Sequence, residues 1–223
     1  MARSPGVHFV LPTLPVHVLE GRAPGPTAIV EAGIHGDEVA GPHALDELLE
    51  EGLTPVRGRL IIIPRMNPPA CRARARVRPG GSDMNRCFPG DPDAAELERR
   101  LAGRLMALIA DERPALVATL HESHKRHHPD IPASFGQSVV YGVTPRPEVV
   151  DRVVDHMNED LAHPYERWAA HHYPVPTSST EVIVEKVGCV GLCIETWMGF
   201  EEARRVAMQR EVVMCLLRHF ELL

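Results

Sequence analysis

Residues 33–38 read GIHGDE, between an apolar run, TAIVEA at 27–32, and a helical one, VAGPHALDELLE at 39–50. His35 and Glu38 thus stand where a strand gives way to a helix. The stretch reads either as a polar turn opening a helix or as two metal ligands from one turn. A strand that ends in polar groups and feeds a helix is also the repeating unit of an α/β sheet, where ligands sit beyond the strands' carboxyl ends.

Working outward, the same unit recurs. RLIIIP (59–64), ALVATL (115–120) and CVGLCIE (189–195) are continuous apolar runs, the mark of strands buried on both faces. VHFVL (7–11) and VHVLE (16–20) predict an opening pair of short strands, and SVVYG (138–142) another. Helical spacing appears at Ala40, Ala44, Leu45, Leu48 and Leu49 over 39–51. A second helix is expected from Asp91 as N-cap and Pro92, with Leu97, Leu101, Leu105, Leu108 and Ile109 on its apolar face and Pro114 at its end. Val150, Val153, Val154, Met157 and Leu161 predict a third over 147–161, and Val206, Val213, Leu216, Leu217 and Phe220 a fourth from about 201 onward. Two irregular stretches remain, 66–92 and about 162–180. With no repeat or linker, residues 1–223 read as one α/β domain: three layers, with a twisted, mixed but mostly parallel sheet and helices on both faces.

Composition narrows the function. A net charge of −6 argues against a nucleic-acid or membrane-surface protein. Five cysteines with no CxxC pair read as reduced thiols, and prolines break the N-terminus before a signal core forms, so the expected location is cytoplasmic. The 44% hydrophobic content fits a monomer or a homo-oligomer equally.

His35, His121 and Glu195 each stand at or just past the end of an expected buried strand, and Asn67 past another. A catalytic zinc takes three protein ligands and keeps a position for water. His35 and Glu38 offer two ligands, and His121 is the best placed third; His124, His127 and His128 are its rivals in HESHKRHH. A carboxylate near that water can act as general base, and Glu195 fits. Taken singly, each of these groups has a plainer reading as a polar turn or a satisfied buried side chain. Their joint placement favours the metal site.

The stretch RARARVRPGGSDMNRCFPG sets Arg72, Arg74, Arg76 and Arg78 in alternation. For most of them a solvated edge is expected. A nucleic-acid module is disfavoured by the short run and the absence of interleaved aromatics. A carboxylate clamp is the third reading, since arginine makes two parallel bonds to a carboxylate.

Together GIHGDE, DMNRCFPG, TLHES and IETW resemble the zinc carboxypeptidase superfamily, and within it the succinylglutamate desuccinylase/aspartoacylase-like branch, over about residues 25–200. The resemblance implies one Zn²⁺ per chain on His35, Glu38 and His121. It implies Glu195 as base and proton donor, and Asn85 and Arg86 as the binders of a substrate carboxylate. Arg78 would stabilise the oxyanion, with Arg76 its near rival. Tyr165 and Tyr173 lie where some superfamily members carry a tyrosine, and neither is assigned. Aspartoacylase-like proteins carry a further C-terminal β domain, for which no room is expected before Leu223.

The expected activity is zinc-dependent cleavage of an amide bond in an N-acyl-amino acid bearing a free carboxylate. A metallocarboxypeptidase acting on peptide C-termini or cell-wall peptides is the alternative, and a non-catalytic metal- or ligand-binding protein on the same fold is the rival from another class. The partner is a small molecule or short peptide, with neither nucleic acid nor membrane.

Overall fold

Alternate side chains along the central strands are buried on opposite faces, and two cores result. Ala28, Val30, Leu60, Ile62, Ala118 and Ile194 belong to one; Ile29, Ile61, Ile63 and Val117 belong to the other. The computed structural model describes residues 3–159, 161 and 163–223. Residue 160 in the expected third helix, residue 162 at the start of the second irregular stretch, and the first two residues lie outside them.

Eight strands form one sheet: β1 (Gly6–Leu11), β2 (Leu14–Glu20), β3 (Ala23–Ala32), β4 (Arg57–Ile63), β5 (Leu116–Ser123), β6 (Ser138–Tyr141), β7 (Ala169–His172) and β8 (Val190–Trp197). Their order is β1-β2-β4-β3-β5-β8-β6-β7. The centre, β4-β3-β5-β8, is parallel, and β6 pairs with β8 antiparallel. The helices are α1 (Ala40–Glu50), α2 (Pro68–Ala73), α3 (Leu97–Glu112), α4 (Glu148–Met157), α5 (Ser179–Val187) and α6 (Glu202–His219). Leu45 of α1, Val150 of α4 and Val213 of α6 cover one face; Leu105 of α3 and Ile183 of α5 cover the other. The α/β three-layer expectation is met.

Several local expectations need correction. The helix expected at Asp91-Pro92 starts six residues later, at Leu97. Asp91 instead closes a turn: its carboxylate accepts from Asp93 N and its carbonyl from Ala94 N. The first irregular stretch contains α2, with Asn67 as N-cap accepting from Ala70 N and prolines at the first turn. The second stretch contains β7 and leads into α5, whose Ser178 cap accepts from Glu181 N and whose Gly188 closes the other end at φ +76°.

Candidate metal centre and cleft

Three polar side chains meet at the carboxyl edge of the parallel strands. β3 ends at Ala32, and Gly33 turns the chain at φ +66°, a conformation open to glycine. The next turn passes so close to α2 that a Cβ on Gly36 would overlap the Ala70 backbone. This packing fixes His35 and Glu38 ahead of α1. His35 Nδ1 lies 2.7 Å from Glu38 Oε1, and His121 Nδ1 lies 2.7 Å from Glu38 Oε2. All three residues are buried, and their candidate ligand atoms lie within 4.8 Å of one another. Two imidazole nitrogens and a carboxylate form a set that could hold a metal ion. His121 also belongs to a second, overlapping set with Cys193 and Glu195.

Neighbouring side chains hold the three in place. Asp83 Oδ1 is 3.2 Å from His35 Nε2, and Asp83 Oδ2 accepts from Arg76 at 2.8 Å. Glu122, on the opposite face of β5 from His121, accepts from Ala40 N at 2.8 Å and pairs with Arg205. Gln209 donates to the His121 carbonyl at 2.8 Å. Asp83 and Glu122 adjoin residues singled out in the sequence, but no local pattern marks them as supports. Gln209 comes from α6 and has no sequence signal at all.

The electrostatics follow from burial against partners. Burial lowers the His35 imidazole, but the facing carboxylates of Glu38 and Asp83 outweigh it and raise it to about 9. Burial pushes Glu38 and Asp83 upward, yet their imidazole partners hold both well below the ordinary carboxylate range. Burial raises Glu195 to about 7, with His121 opposing. Among the described residues its Oε2 has no hydrogen-bond partner, while the Cys193 thiol lies 3.6 Å from Oε1.

His35, Glu38, His121 and Glu195 share a cleft of about 430 Å³ with Arg76, Asn85 and Arg86. Asn85 accepts through Oδ1 from the backbone N of Ser179 at 2.9 Å, which leaves its amide hydrogens to donate. Arg78 is not on the cleft wall: its Nε lies 2.7 Å from fully buried Glu98. Asn67 is the α2 cap and does not join the cluster. His124 lines the cleft, whereas His127 bonds His171 at 2.9 Å; neither, nor His128, joins the candidate metal sets among the described residues. Tyr173 lines the cleft, while Tyr165 stacks on His163.

Sheet order and layers make an α/β fold like that of zinc carboxypeptidase-like proteins, with a cluster that could hold a metal ion. Within that class, a sequence model of the succinylglutamate desuccinylase/aspartoacylase catalytic domain matches residues 24–131, so the resemblance to this branch holds. The match includes His35, Glu38 and His121 but neither Cys193 nor Glu195. The N-alpha-acetyl-L-2,4-diaminobutyric acid deacetylase of Halomonas elongata is 47% identical over 88 residues, 39% of this chain and 25% of that protein. A succinylglutamate desuccinylase/aspartoacylase structure from Rhodobacter sphaeroides is 26% identical with a TM-score of 0.70, over 93% of this chain and 58% of that one. Product-bound Csd4, a cell shape determinant of Helicobacter pylori, superimposes with a TM-score of 0.84 at 19% identity, over 94% of this chain and 56% of that one, a likeness of fold. The chain thus spans a quarter of the deacetylase and little more than half of these two structures.

Proposed function

We propose that the chain is the catalytic domain of a zinc-dependent hydrolase that cleaves an amide bond in an N-acyl-amino acid with a free carboxylate. One observation carries the reading: a buried His–Glu–His set shares a cleft with Glu195, whose Oε2 accepts no hydrogen bond among the described residues, and with the donors of Asn85 and Arg86. The acetyl-diaminobutyrate deacetylase named above supports it.

His35, Glu38 and His121 would hold one zinc ion, which when bound supplies a Lewis acid and acidifies water. Glu195 takes a proton from the attacking water at its free Oε2 and returns it to the leaving amine. Arg76 faces His35 and Glu38, and is the guanidinium placed to donate to the developing oxyanion, in preference to Arg78. Asn85 and Arg86 orient the substrate carboxylate. Five free thiols suit a reducing, cytoplasmic setting. No helix of the described residues is long and apolar enough to cross a membrane.

The test is metal content with turnover. About one zinc per chain, lost in His35→Ala with His121→Ala, and hydrolysis of N-acyl-amino acids that Glu195→Ala abolishes, are expected. Zinc-independent turnover, or no turnover of any N-acyl-amino acid by the zinc-loaded protein, overturns the reading. Peptide substrates in the same assay test the carboxypeptidase alternative.

A further inference from the structure

The cleft extends well beyond His35, Glu38, His121 and Glu195. β6 runs antiparallel to β8 with Ser138 opposite Glu195 and Val140 opposite Cys193. Val140 and Cys193 both line the cleft and give it an apolar floor leading away from Glu195. Two residues beyond Val140 is Gly142, against which the Glu181 carboxylate packs; any side chain at Gly142 would overlap it. Four residues separate the level of Ser138 from that of Gly142, ~13 Å along an extended strand. Glu181 comes from the first turn of α5, the helix whose Ser179 N fixes Asn85. Glu181 also lines the cleft; among the described residues no hydrogen bond or ion pair to its carboxylate is formed, and His172 is the cationic group that acts on it from a distance. Burial raises this carboxyl, with only His172 opposing. A half-buried acid at the end of an apolar channel calls for a cationic partner.

We propose that Glu181 selects the substrate: the amino acid released carries an aliphatic side chain ending in a primary ammonium, its methylenes lying on Val140 and Cys193 and its charge on Glu181. This rests on the hydrolase reading above for the position of the scissile bond. The chemistry is bipolar, with a carboxylate held by Asn85 and Arg86 and an ammonium held by Glu181.

The experiment compares matched pairs on the zinc-loaded protein: Nα-acetyl-lysine with N-acetyl-norleucine, and Nα-acetyl-ornithine with N-acetyl-norvaline. The cationic member is expected to be favoured at least tenfold in kcat/KM. Glu181→Gln should collapse that ratio, and Glu181→Lys should transfer preference to N-acetyl-2-aminoadipate. Calorimetric binding of free lysine and norleucine to the same proteins gives a readout independent of turnover. Equal handling of each pair, or a preference that survives Glu181→Gln, overturns the proposal while leaving the hydrolase reading intact. Absence of all hydrolysis, together with lysine binding that Glu181→Gln weakens, would sustain the site and remove the hydrolase. Absence of selective binding and of selective turnover overturns it outright.

Discussion

Asp83 Oδ1 lies 3.2 Å from His35 Nε2, the ring nitrogen that Glu38 leaves free. This contact sets the tautomer: with Nε2–H donating to Asp83, Nδ1 keeps its lone pair for a metal. Asp83→Ala should therefore weaken metal affinity by ~10–100-fold, measured by chelator competition. Unchanged affinity would mean that Glu38 alone orients the ring.

Metal uptake should expel a proton. At pH 7.5 His35, raised to about 9, is protonated in the metal-free protein, and a ligand nitrogen must be bare. Apparent affinity should climb with pH up to about 9, by as much as tenfold per unit. Calorimetry in buffers of different ionisation enthalpy reads the proton directly; a pH-independent affinity contradicts it.

The metal-free protein should be most stable in mild acid. His35 is raised above its unfolded value of 6.5, so its contribution is complete below 6.5 and is lost as pH rises through about 9. Glu195 and Glu31, each raised to about 7 by burial, contribute below 4.5 and lose that contribution as pH rises through about 7. Glu38 and Asp83 are lowered, so theirs is present above 4.5 and 3.8 respectively and is lost on stronger acidification. Thermal melts of the chelated protein should show Tm falling from pH 5 to pH 9; a rise across that range contradicts these assignments.

Arg76 and Arg78 should part company. Arg78→Ala strands the buried Glu98 carboxylate and should lower stability by roughly 3 kcal/mol in denaturant melts. Arg76→Ala should depress kcat by about a hundredfold while retaining metal. The opposite pattern would restore Arg78 to the oxyanion.

Gly36→Ala should be destabilising by about 1–3 kcal/mol, since a methyl there meets the Ala70 backbone. Displacement of the turn carries His35 and Glu38 with it, so zinc content should fall in the same variant. Full zinc occupancy in a destabilised variant would separate turn packing from the site.

The legible parts of this chain were those where one physical signal dominates. RLIIIP, ALVATL and CVGLCIE could only be buried strands, and their polar ends point to the cluster. Asp91-Pro92 misled because a cap and a proline open turns as readily as helices, and here Asp91 bonds Asp93 and Ala94. Helix α5 carried both signals, Ser178 with Glu181 and then Gly188, but they lay at the edge of a stretch whose prolines and histidines read as loop. β7, AAHH, has no apolar pattern because it is an edge strand with both faces partly open. Asp83 and Gln209 support the cluster from other elements, and Glu122 ties β5 to Ala40 and Arg205, relations that exist only after folding. Arg76 and Arg78 share residue type and strand parity; the buried Glu98 separates them.

His121 and Glu195 are direct neighbours in the parallel pairing of β5 with β8. The backbone gap between the candidate ligand and the proposed acid is therefore a lattice constant of the sheet, about 4.8 Å between strands. Asn85 and Arg86 sit in a single 3-10 turn outside that lattice, and Glu181 sits on a helix beside it. For the proposed reaction, mutation could then retune which molecule is gripped by reshaping turn and helix, while the hydrogen-bonded weave keeps the strand spacing at the cluster invariant.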